Sequence, residues 1–132
     1  MSQLKAFLQP TITGNTKEVI VSERFKDEKG NVVPFVVKSI SQEENETLSR
    51  MSTKKKTGEI DSVLLTKRLI LECTVQPNFK ETEICEYYKT NDPLEVPSRM
   101  LGVGEYQILS NAILEINGMI DAKEKIEEAK NS

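Results

Sequence analysis

The sequence contains no histidine and no tryptophan, only seven aromatic residues, and two cysteines. The missing histidine excludes Ser-His-Asp and Cys-His catalysis and the common histidine-containing zinc sites. Two cysteines, Cys73 and Cys85, cannot build a four-thiolate centre within one chain. Basic charge is not in excess either: 18 Lys and Arg against 21 Asp and Glu give a net charge of −3. A general nucleic-acid or anionic-membrane binder would be basic, so both classes are disfavoured. No apolar run approaches the roughly 20 residues of a membrane span, and the first residues lead into nothing resembling a secretion signal. The expectation is a cytoplasmic protein with reduced thiols.

What is present suits one domain. At 132 residues the chain can bury roughly two thirds of its unfolded surface and fold without disulfides or metals. Hydrophobic residues make up 37% and charged residues 30%. That balance predicts a thin core under a heavily solvated surface. The organisation expected is a loosely ordered segment over 1–17, one α+β domain over 18–118, and a charged helix or tail over 119–132.

In the first segment Leu4, Phe7 and Leu8 fall at i, i+3 and i+4, one face of a short helix. Pro10 and Gly14-Asn15 stop it. So short a helix is marginal alone. It is either a docked N-terminal turn or a segment that orders on a partner.

Residues 18–40 read as an antiparallel hairpin. Val19, Val21 and Phe25 share one strand parity, and Val33, Phe35 and Val37 share the other. Asp27 and Gly30 suit the turn between them, with Gly30 taking φ > 0. Pro34 lacks an N–H, so one side of the second strand is unpaired or bulged there. Two strands alone are unstable, so the hairpin must pack on helices or gain another strand.

A bundle of four or five helices follows. Ser41 and Glu44 form a capping box. Lys54-Lys55-Lys56 reads as a mobile loop. Asp61 caps a helix rich in apolar residues, placed at the centre of the fold. A short helix is expected within 80–89, and Asp92-Pro93 starts another. The last strong helix spans 104–116, where Tyr106, Leu109, Ile113 and Ile116 step by 3, 4 and 3. Asn117-Gly118 normally closes a helix, yet Ile120 continues the rhythm, which suggests a helix carrying on in register. The stripe is therefore either core or a docking seam. With Leu4, Phe7 and Leu8 it makes up the candidate partner-binding set.

No motif carries chemistry. Gly102-Val103-Gly104 is not a dinucleotide loop: Gln107 stands where the third glycine belongs, and no strand precedes it. Glu43/Glu44 and Glu127/Glu128 are adjacent, so each pair points to different helix faces. No catalytic, cofactor-binding or metal-binding residue is expected, and an enzyme is not.

Three stretches in order resemble the XkdN-like family of phage tail assembly chaperones. The first is Ser22-Glu23-Arg24-Phe25-Lys26-Asp27-Glu28-Lys29-Gly30-Asn31, followed by Pro34-Phe35 and Ile40-Ser41-Gln42-Glu43-Glu44-Asn45. The second is the turn Cys73-Thr74-Val75-Gln76-Pro77-Asn78-Phe79-Lys80. The third is Met100-Leu101-Gly102-Val103-Gly104-Glu105-Tyr106, with Leu109 and Glu115-Ile116-Asn117-Gly118 after it. The chain departs from the family pattern at 84–89, Ile-Cys-Glu-Tyr-Tyr-Lys.

The resemblance implies a protein of a phage or prophage in a Gram-positive host, without activity or cofactor. It implies a chaperone that reversibly holds the tape measure protein soluble while tail-tube subunits polymerise, and that is absent from the mature virion. The tail tube protein is a further possible partner, and copies could associate on the client. The alternatives are a minor tail or baseplate protein that stays in the particle, and a bacterial adaptor.

Overall fold

The computed structural model describes residues 3–121. Three antiparallel strands form one sheet in the order β1-β2-β3: β1 Thr16–Val19, β2 Phe35–Lys38 and β3 Thr74–Gln76. Five α-helices accompany them among the described residues: α1 Gln42–Met51, α2 Ser62–Cys73, α3 Thr82–Tyr87, α4 Val96–Met100 and α5 Val103–Ile116. The α+β class expected from the sequence is the class observed.

The strands differ from expectation in two ways. β1 starts at Thr16 and pairs Thr16 with Lys38 and Val19 with Phe35. The first strand therefore lies earlier than the Val19–Phe25 parity suggested. The Asp27 turn closes a separate small loop outside the sheet, with a single bridge between Lys26 and Val32. Its local chemistry is as expected. Lys29 N and Asn31 N both donate to Asp27 Oδ1 at 2.9 Å, and Gly30 takes φ +83°. The second difference is β3, which directly continues α2 and pairs with β2. It supplies the additional strand that the hairpin needed.

The helix starts follow from their caps. Ser41 Oγ accepts from Glu44 N at 3.2 Å, and Glu44 Oε1 accepts from Ser41 N at 3.3 Å. Asp61 Oδ1 accepts from Leu64 N to cap α2, and Asp92 Oδ1 accepts from Leu94 N to cap the 3-10 turn Pro93–Glu95 that leads into α4. At the end of α5, Gly118 takes φ +69°. Gly118 N donates to Glu115 O at 3.0 Å and Met119 N to Leu114 O at 2.8 Å. These two bonds satisfy the last carbonyls and turn the chain out of the helix. The helix expected to continue towards Ile120 is thus absent through Asp121, and the charged stretch beyond lies outside the described residues.

Helix α5 packs on β1 and β2, α2 packs on α5, and α1 packs on α2. Val37, Leu69, Ile70, Cys73, Phe79, Val96, Leu109 and Ile113 form the centre of the core. Only the C-terminal half of α2 is central: Leu69, Ile70 and Cys73 are buried, whereas Val63 in its first turn is 65% exposed.

Candidate functional site

Residues 3–15 form an arm that stands off this body. Its base is clamped: Gly14 N donates to Ser39 O at 2.8 Å, and Ser39 N donates to Asn15 O at 2.9 Å. Beyond the clamp, Thr13 Oγ1 approaches Glu44 Oε1 at 3.4 Å. Leu4–Phe7 make one 3-10 turn, and Pro10 follows too soon for a helix to propagate. Every residue from 3 to 18 is exposed. Phe7 is 76% exposed, Leu8 67% and Ile12 73%, with Leu4 at 61%. Among residues 3–15 only Lys5 carries a charge, in a chain that is 30% charged overall. The arm therefore presents apolar side chains on a segment with little charge of its own.

The second candidate stripe has the opposite fate. Leu109 and Ile113 are completely buried against the sheet and α2. Tyr106 and Ile116 are half-buried and pack on the same core. The stripe packs as core. Tyr106 and Ile113 also line a surface feature.

That feature is a groove between α2 and α5. Two adjoining depressions of about 250 and 360 Å³ share Tyr106 and Gln107 along their length. Leu69, Ile70 and Ile113 form the floor, and Val63 and Val103 stand at one mouth. Val103 is 91% exposed. Ser110 Oγ is buried at this face without a hydrogen-bond partner. Lys67 is the one charged residue on the lining, and it is paired with Glu95 at 2.9 Å. Sequence reasoning missed this groove. Val63 read there as an ordinary helix residue and Val103 as part of the turn before the last helix, and only packing shows that their side chains are left out.

The start of α5 is held by a polar staple. Arg24 Nε donates to Glu105 Oε2 at 2.7 Å, and its Nη2 donates to Glu105 Oε1 and to Met100 O, each at 2.8 Å. Gly102 N also donates to Glu105 Oε1, at 2.9 Å. The guanidinium lies 4.2 Å above the Phe25 ring. The Arg24 hydrogen bonds, followed by those from Gly102 and Ser22, hold the Glu105 carboxyl at about 2, below its ordinary 4.5. The far end of α5 is held by Asn117. Its Oδ1 accepts from Ile40 N at 2.8 Å, and its Nδ2 donates to Ile113 O at 2.8 Å.

The thiols sit inside. Burial pushes the Cys73 thiol up to about 11, so it stays protonated and unreactive at neutral pH. Cys85 is also buried, and its Sγ lies 3.3 Å from Phe79 O. No three His, Cys, Asp or Glu side chains cluster as metal ligands among the described residues.

Residues 4–130 match the family described as phage XkdN-like tail assembly chaperone protein. The chain belongs to this family. A Bacillus subtilis (strain 168) protein named phage-like element PBSX protein XkdN is 39% identical over 137 residues, covering 96% of this chain and 93% of that protein. YqbN from the same strain is 43% identical over 134 residues, covering 94% and 90% respectively. The crystal structure of YqbN superposes with a TM-score of 0.76 at 42% identity, over 89% of this chain and 98% of that one.

The family-like stretches are where the staples are built. Arg24, from the first stretch, meets Glu105, from the third, across 81 positions of sequence. Gln76, from the second, donates to the Pro34 carbonyl of the first at 2.8 Å. Asn117 closes the third stretch onto Ile40 of the first. These motifs hold the XkdN-like scaffold together; the arm and the groove lie outside most of them. At the departure, α3 ends with Lys89 at φ +57°, and Arg99 Nη1 donates to Lys89 O and Tyr88 O.

Proposed function

We propose that this tail assembly chaperone reversibly binds the tape measure protein and keeps it soluble while the tail tube forms around it. Family membership is the observation that carries this reading. The physical properties of the chain support it. A holdase needs apolar side chains to offer a helical client and a charged body to keep the complex in solution. The arm supplies Leu4, Phe7, Leu8 and Ile12 on a body with 30% charge.

Capture by so small a surface is weak per site, so several copies act together on one long client. Release then needs no chemistry: polymerising tube subunits compete for the same client surface, and the chaperone dissociates. The chain works in the host cytoplasm and leaves before the particle matures. No cofactor or catalytic step is required.

Mass spectrometry of purified mature tails tests this directly. The expected result is that the chain is absent from tails yet co-purifies with the tape measure protein from cells arrested before tube assembly. Stoichiometric retention in mature tails would instead make it a structural tail or baseplate protein.

A further inference from the structure

Two charge-poor apolar features occur on one chain, and they do not meet within it. The arm has a single charge in thirteen residues. The α2/α5 groove has a single charged lining residue, already paired with Glu95. The arm's own copy leaves Phe7, Leu8 and Ile12 exposed to water. A free protein that displays such side chains unprotected risks aggregation until they are covered.

We infer that, before a client arrives, the chain forms a two-fold dimer in which each copy's arm lies in the α2/α5 groove of the other. Residues 3–13 lie beyond the Ser39 clamp and span up to roughly 35 Å when extended. Area favours reciprocal exchange over a single contact. Typical interfaces bury roughly 30–40 Å² per residue, so one arm in one groove buries about 800 Å² in total, the size of a packing contact. Two arms in two grooves bury about 1,600 Å², the size of a specific interface. A two-fold arrangement closes on itself and stops at two copies. The apolar arm is thereby stored in a form that a client helix can displace.

The test is made on the full chain without client, so it stands apart from the question of capture. Sedimentation velocity from micromolar to near-millimolar concentration should reveal a species of twice 14.9 kDa. Val63→Glu with Val103→Glu, at two exposed positions, should keep the thermal midpoint and weaken the dimer at least about tenfold. Separately purified Leu8→Cys and Val103→Cys chains, mixed and oxidised, should join as a mixed disulfide, because both native thiols are buried. A monomer at every concentration overturns the inference. So does a disulfide that forms only between two Leu8→Cys chains. A doubly substituted chain whose disulfide closes within a single copy also overturns it, since the arm would then occupy its own groove.

Discussion

The two apolar stripes of this chain each fall on one helical face and have opposite fates. Leu4, Phe7 and Leu8 step by three and one; Tyr106, Leu109, Ile113 and Ile116 step by three and four. The second stripe is buried because its helix has fourteen residues and both ends are fastened, by Glu105 to Arg24 and by Asn117 to Ile40. The first is left in water because its turn has four residues and the segment is clamped at its base, on Ser39, well away from that turn. Periodicity identifies an apolar face. Length and end anchoring decide whether that face joins the core.

Breaking the buried stripe should have the largest effect. Ile113→Ala removes packing from a side chain that is 1% exposed and should cost about 2–5 kcal/mol, read from the urea midpoint. The equivalent loss at Phe7 should be far smaller, and equal losses would erase the contrast.

Removing the anchor at the end of α5 ranks next. Asn117→Ala leaves the Ile40 amide without its acceptor and should cost about 1–3 kcal/mol. Gly30→Val belongs in the same range, about 1–3 kcal/mol, for a purely conformational reason. A side chain at Gly30 meets nothing within 4 Å, so the cost comes from its φ of +83° alone. An Asn at the same position should recover part of the loss; an unchanged midpoint for Gly30→Val would show that the turn relaxes freely.

The staple at the start of α5 should show itself through acid. Glu105 titrates at about 2 when folded against an ordinary 4.5. A depressed folded value means that the stabilisation is complete above about pH 4.5 and is lost as pH falls towards about 2. Glu105→Gln should therefore lower stability at neutral pH and flatten its pH dependence within that window. Parallel acid curves for the two proteins would show that the ion pair is not coupled to folding.

Much of the fold was legible where short-range chemistry decides it. Ser41 with Glu44, Asp61 and Asp92 each act on amides within a few residues, so their caps read directly from sequence, whereas the stop at Gly118 was overridden there by the apolar rhythm reaching Ile120. The strands were legible only in part. β1 is Thr-Lys-Glu-Val, with no side chain fully buried, and β3 is three residues long. Both exist because β2 lies between them, a non-local cause that no pattern within either segment expresses. The Arg24–Glu105 pair was hidden for the same reason, by 81 residues of separation. The arm was legible as an apolar pattern with two possible fates. The groove was not legible, because Val63 and Val103 become a rim only through the packing of α2 against α5.

Substitution in the arm should have the smallest effect on folding. Phe7→Ser with Leu8→Ser should shift stability by no more than about 0.5 kcal/mol, since neither side chain packs on the core. A larger shift in the thermal midpoint would move these residues into the core and close the contrast between the stripes.

Co-expression of that double variant with the tape measure protein tests the central claim most directly. The account predicts a folded chaperone that no longer co-purifies with its client, and a client that passes into the insoluble fraction. A client that stays soluble and co-purifies with the folded variant would contradict it, and would place capture elsewhere than on the arm.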